Sequence, residues 1–245
     1  MTLSIAHQHR FYRDRIKAGS LMPFTVSIQE TDLFILAETE LIEEARRSIL
    51  NYRYQLEEYI RNHPSFLDSF SPLPRDSHAP PIIREMLQAA ETAGVGPMAS
   101  VAGAFAEKVG RDLLQHSKEI VVENGGDIYI TVAHDITIGI YAGASPLSNR
   151  LAVRIRSDKT PVGVCTSSGT VGHSFSFGRA DAVTIIAPSA FLADAAATAV
   201  GNCVSSNEDI PRGLELAKAI EGVRGAVIII NDQMGACGDV ELVSL

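Results

Sequence analysis

The stretch Pro161–Cys203, PVGVCTSSGTVGHSFSFGRADAVTIIAPSAFLADAAATAVGNC, places a Gly/Ser/Thr-rich loop, a strand and a helix of very small residues in direct succession. The loop from Thr166 to Ser174 carries several hydroxyls and two glycines with little bulk. Glycine permits positive φ and close backbone approach, while hydroxyls and exposed N–H groups donate to phosphate or carbonyl oxygens. The same composition also makes an ordinary polar turn. Asp181–Ala187 reads as a largely apolar strand, and Pro188 and Ser189 then mark a helix start.

The helix expected over Phe191–Asn202 is rich in alanine and carries Asp194 and Thr198. These two stand four apart, so their oxygens project from one helical face and can share a ligand. A hard cation such as Mg²⁺ takes carboxylate, hydroxyl, carbonyl and water oxygens. The alternative is that Asp194 is a first-turn acid favoured by the helix dipole and Thr198 bonds back to its own helix.

Toward the N-terminus, a helix from Pro97 to about Gln115 opens with a second run of small residues, Ala99, Ser100, Ala102 and Gly103, suited to close helix packing. A strand over Ile120–Glu123, a turn Asn124-Gly125-Gly126-Asp127 and a strand over Ile128–Val132 follow. Asn-Gly at a strand junction is a strong hairpin signal. Further strands read over Leu21–Gln29, Asp32–Ala37 and Ile136–Ala142. Helices read over Glu40–His63 and Pro81–Ala93, with a Pro/Ser-rich surface loop between them. Beyond the opening stretch come a helix at Pro211–Glu221 and strands at Ala226–Ile230 and Val240–Val243, while Leu151–Arg156 and Val162–Cys165 begin the second half.

Each half reads as strands, helices, then strands, so the expected class is α+β. Its sheets are mixed or antiparallel and covered by helices, and one domain over residues 1–245 divides into related halves of about 1–145 and 146–245. With 46% hydrophobic and 20% charged residues, the 245-residue chain can bury a substantial core. A net charge of −8 argues against nucleic acid and anionic membranes as partners. The three cysteines, Cys165, Cys203 and Cys237, lack zinc spacing and read as free thiols of a reducing compartment; with no signal-type segment, this gives a cytoplasmic expectation. The basic, aromatic segment His9–Arg15 reads either as a reach toward an anionic ligand or neighbouring subunit, or as a solvated leader.

Glu123-Asn124-Gly125-Gly126-Asp127-Ile128, Thr166-Ser167-Ser168-Gly169 and Ala193-Asp194-Ala195-Ala196-Ala197-Thr198-Ala199 together resemble the ApbE family of flavin transferases, in order and spacing, over about residues 95–205. The resemblance is greatest to a cytosolic branch of that family. It implies a T-fold-like architecture with a duplicated core, which makes a homo-oligomer reasonable. It also implies bound FAD, a magnesium ion at the pyrophosphate, and transfer of FMN to a hydroxyl of an acceptor protein.

Carried over by position, Asp194 and Thr198 are the metal residues, with a backbone carbonyl near Val101 as a third ligand. Asn124, Gly125 and Gly126 lie beside the flavin, and Ser167, Ser168 and Gly169 approach the nucleotide. His173 and Asp127 are the candidates to take the hydroxyl proton. The chain departs from the pattern where Ala102-Gly103 replaces a Lys-Gly pair and where the segment after His173 is shortened. Arg179 is the candidate replacement for the missing cation. Those departures leave open a binding module that holds a flavin, nucleotide or pterin without chemistry. A serine-hydrolase reading at Ser174 lacks the second glycine of a nucleophile elbow.

Overall fold

A computed structural model describes residues 21–170 and 177–245. His173, Ser174 and the segment His9–Arg15 lie outside these residues. The first described elements are a hairpin, β1 (Met22–Ile28) and β2 (Thr31–Ala37), whose turn is Gln29–Glu30, one residue earlier than the Glu30–Thr31 left between the two strands expected there. Helix α1 (Ile42–Asn62) buries Ala45, Ser48, Ile49 and Leu56, a helical spacing that turns one stripe inward. It is tied to a later helix by Ser48 Oγ and Tyr52 O–H, which donate to Asp112 at 2.6 and 3.1 Å.

The expected loop after α1 contains one helical turn, α2 (Ser65–Asp68), seated by the fully buried Phe66. Helix α3 (Pro81–Ala93) starts on a proline at its first position and stops at Gly94, whose φ of +74° closes it in the left-handed region. The helix expected from Pro97 begins as a 3₁₀ turn (Pro97–Ser100) and becomes α4 (Val101–Leu113) after Ser100, which sits at φ −115°, ψ 8°.

Strands β3 (Ile120–Asn124) and β4 (Asp127–Thr131) form the Asn-Gly-Gly-Asp hairpin. Strand β5 (Ile136–Gly139) stops three residues before its expected end. Then come β6 (Leu151–Ile155), β7 (Val162–Ser167), β8 (Ala182–Ala187), α5 (Ala190–Asn202), α6 (Ile210–Ala219), β9 (Gly225–Ile230), β10 (Gln233–Gly238) and β11 (Glu241–Ser244). β10 has no counterpart in the sequence reading, since QMGACG holds no β-branched residue.

Eight strands make one sheet in the order β1-β2-β3-β4-β7-β8-β9-β10, and β11-β6-β5 make a second. Every strand pair among the described residues is antiparallel, the second of the two expected alternatives, mixed or antiparallel. Helices cover one face of the large sheet over a core that includes Leu33, Ile35, Val122, Ile185 and Ile228. The other face meets the small sheet over a second core of Val121, Ile130, Val153, Val164 and Ile229. Period-2 alternation sends neighbours such as Val121 and Val122 to opposite cores, which explains why the central strands read as continuous apolar runs. Among the described residues no helix is long and apolar enough to cross a membrane.

Candidate functional site

The hairpin turn between β3 and β4 is built from two glycines because both central residues have positive φ, +68° at Gly125 and +109° at Gly126. It is fastened on three sides. Gly126 N–H donates to Glu123 Oε1 at 2.8 Å, Thr166 N–H of β7 donates to the Gly126 carbonyl at 3.2 Å, and Asn124 Nδ2 donates to the Ala102 carbonyl of α4 at 3.1 Å. The turn therefore joins the start of α4 to the end of β7.

Asp127, the first residue of β4, stands opposite Cys165 of β7. Its side chain is buried, and Oδ1 has no hydrogen-bond partner. Burial, reinforced by the charge of Asp194, holds this carboxyl well above the usual carboxylate range; a hydrogen bond with Cys165 opposes the shift. Burial and the same two aspartates push the Cys165 thiol up.

Asp194 comes from the second turn of α5, and its Oδ2 accepts from Gly103 N–H of α4 at 2.8 Å. Burial pushes its carboxyl up to about 7, against the downward pull of the Gly103 and Ala102 amides. The two helices meet closely because Gly103 has no side chain: a Cβ there would fall 2.2 Å from the Ala190 carbonyl oxygen and 2.9 Å from Asp194 Cβ. The small residues at the start of α4 thus have a packing role. On the far side, Gly163 lets β7 approach α5, since a Cβ would fall 2.4 Å from Ala190 Cα.

Asn124, Asp127, Asp194 and the backbone of residues 102–103 are therefore brought into one neighbourhood. Thr198 lies one turn beyond Asp194 and is half-buried, as is Val101 at the head of α4. Ser167 ends β7, opposite Val183 of β8. In the loop beyond it, Ser168 Oγ accepts from Thr170 N–H at 3.1 Å, Thr170 Oγ1 donates to Asp181 Oδ1 at 3.0 Å, and Gly169 N–H donates to the Ala180 carbonyl at 2.9 Å. A Cβ on Gly169 would fall 2.3 Å from the Gly178 carbonyl oxygen, so this glycine closes the base of the loop.

Two participants carry no site signal in the sequence reading: Cys165 reads only as a free thiol, and Glu107 of α4 has no role there. Glu107 is almost wholly buried: Oε2 accepts from Ser189 Oγ at 2.8 Å and from Ala190 N–H at 2.6 Å, while Oε1 pairs with Arg111. The available sequence signal is the four-residue spacing Gly103, Glu107, Arg111, which puts an acid and its partner on the same stripe as the helix-contact glycine.

Among the described residues, no group of three or more His, Cys, Asp or Glu side chains has the arrangement to hold a metal. The residues do suit a hard cation that uses few side chains. The oxygen donors brought together are two buried carboxylates and an amide; one carboxylate oxygen is unpartnered, and no basic side chain among the described residues pairs with either acid.

A family model described as "AbpE bacteria" matches residues 13–236. Among similar proteins, the UPF0280 protein of Methanococcus vannielii is 43% identical over 221 residues, covering 88% of this chain and 90% of that protein. The UPF0280 protein of Methanocaldococcus jannaschii is 42% identical with the same coverage. The solved apo form of Pseudomonas stutzeri flavinyl transferase ApbE superposes with a TM-score of 0.58 at 15% identity, covering 89% of this chain and 94% of that one. The apbe protein of Thermotoga maritima gives a TM-score of 0.51 at 13% identity, covering 88% and 96%. At these identities the structures speak to the fold, the α+β arrangement of helices on antiparallel sheets. The chain belongs to the family described as AbpE bacteria, alongside the UPF0280 proteins, and shares its fold with the solved ApbE structures.

Proposed function

We propose that this protein binds a flavin nucleotide, FAD, together with Mg²⁺, and moves FMN from FAD to a hydroxyl of a protein acceptor or to water. The observation that carries the proposal is the pair Asp127 and Asp194: two buried acids without a basic partner among the described residues, one with an unpartnered oxygen. Buried carboxylates are normally paired or bound to a cation.

In this reading Asp194 and Thr198, with the carbonyl of Val101, hold the cation, and α4's amides orient the Asp194 carboxylate. When bound, Mg²⁺ would neutralise charge on the pyrophosphate oxygens. Asn124, Gly125 and Gly126 present a turn without bulk to the flavin, and Ser167, Ser168 and Gly169 line the nucleotide side. The acceptor oxygen attacks the phosphorus of the FMN moiety, the bond to the AMP oxygen breaks and AMP leaves. The hydroxyl proton passes to Asp127 or His173, and burial raises the basicity of the Asp127 carboxylate above the usual range.

The proposal also takes the chain as a single cytoplasmic domain of two T-fold-like halves, about 1–145 and 146–245. The run β1-β2, helices, β3-β4 followed by β7-β8, helices, β9-β10 supports that duplication. Assembly of identical chains belongs to the same reading.

The test is calorimetry of FAD binding with and without Mg²⁺, on the wild type and Asp194→Ala, followed by assay of the mixture for FMN and AMP. Magnesium-dependent binding and AMP release that both vanish in Asp194→Ala are expected. A second reading, a flavin, nucleotide or pterin carrier without chemistry, is favoured by Ala102 standing where the resemblance expects lysine. Binding with no AMP in the presence of water and candidate acceptors would select it.

A further inference from the structure

Helices α4 and α5 cap one another. Asp194 of α5 accepts from Gly103 N–H near the start of α4 at 2.8 Å. Glu107 of α4 accepts from the first amides of α5, Ala190 N–H at 2.6 Å and Phe191 N–H at 3.4 Å, and from the Ser189 hydroxyl at 2.8 Å. Each acid satisfies donors that a helix start leaves without intrahelical partners.

The two acids differ in what surrounds them. Glu107 pairs with Arg111, and both Arg111 and Lys108 pair with Glu85, so its charge is compensated. Asp194 pairs with no basic side chain among the described residues. On α4, Gly103 and Glu107 stand four apart and share a stripe; on α5, Ala190 and Asp194 do the same. The stripes meet at two points one turn apart, Gly103 against Ala190 and Asp194, and Glu107 against Ala190.

We propose that Glu107 is a positioning residue for Asp194, and that its grip on the first turn of α5 fixes the register at which the Asp194 carboxylate faces the α4 amides. The inference rests on the cation-binding reading above for its consequence, though not for its geometry. Ser189 already caps α5 locally, its Oγ accepting from Phe191 N–H at 3.2 Å. What Glu107 adds is a link between α5 and α4. Residues that orient a metal ligand typically alter affinity about 10–100-fold when removed.

The experiment uses the full chain, with Mn²⁺ alone as an electron-spin-resonance probe, below each variant's unfolding midpoint. It also follows hydrogen exchange of the Gly103 amide, whose acceptor is Asp194 and not Glu107. Glu107→Ala is expected to weaken Mn²⁺ binding about tenfold or more and to speed Gly103 exchange. Glu107→Gln keeps an oxygen acceptor and should recover most of both. A folded Glu107→Ala with wild-type affinity and wild-type Gly103 exchange would overturn the proposal.

If Glu107→Ala does not fold, Glu107→Asp decides. That variant keeps the charge and shortens the reach, and unchanged Mn²⁺ affinity and Gly103 exchange would sink the idea. If the wild type binds no Mn²⁺, the cation reading falls by itself. Gly103 exchange then decides alone, faster in Glu107→Asp for positioning and unaltered against it.

Discussion

Asp194 and Asp127 share a buried space: the charge of Asp194 adds to the burial that makes Asp127 harder to ionise, while burial itself holds the Asp194 carboxyl up. The Asp194 carboxyl stands at about 7 in the folded protein against 3.8 for the free side chain, so the folded state holds the extra proton between those values. The contribution of Asp194 to stability therefore falls as pH rises from about 4 to about 7 and levels off above, the reverse of a salt-bridged aspartate. A shift of this size corresponds to an upper bound on the order of 4 kcal/mol. Thermal unfolding in a chelator across this range is expected to show the fall, and Asp194→Asn to flatten it. A bound divalent cation favours the ionised form and should raise the melting temperature most at the upper end of the range. At the same scale, Gly103→Ala would drive a methyl into the Ala190 carbonyl and should cost about 1–3 kcal/mol in chemical denaturation. Gly125→Ala meets no atom within 4 Å, so its cost, about 1 kcal/mol, would come from the positive φ alone.

What the sequence discloses about elements depends on whether their cause is local. Helix α3 is bounded as read, Pro81 to Ala93, because a proline and a left-handed glycine mark its ends in the sequence itself. The β3–β4 hairpin is legible for the same reason, its turn needing the two glycines that are written there. β10 is not legible, since its extended backbone comes from pairing with β9 rather than from its own residues. The candidate site divides likewise. Asp127 and Asp194 are visible as acids in apolar, small-residue surroundings, whereas Glu107 acquires its role from Ala190, 83 residues away. The start of α5 shows both kinds of cause at once. Ser189 is a local cap that also donates to Glu107, so Ser189→Ala removes two hydrogen bonds. A loss of about 1 kcal/mol is expected in urea denaturation, with α5 amides exchanging faster than those of α3.

Across the whole molecule, the eight-stranded sheet separates two cores, and Cys165, opposite Asp127 on the neighbouring strand, belongs to the helix-covered one. The small sheet β11-β6-β5 packs on the other face, where Val153 of β6 is fully buried. Val153→Ala removes two methyl-sized groups from that second core, and no site residue shares its cluster. The change should cost about 1–2 kcal/mol of global stability. Substitutions at well-separated positions without shared partners act nearly additively, so Mn²⁺ affinity measured on the folded protein should move by less than about twofold. Combining Val153→Ala with Asp194→Asn should then give the sum of the two stability changes at each pH. A clear departure from additivity would mean that the sheet transmits strain between its faces, and the small sheet would have to be counted as part of what holds the two aspartates together.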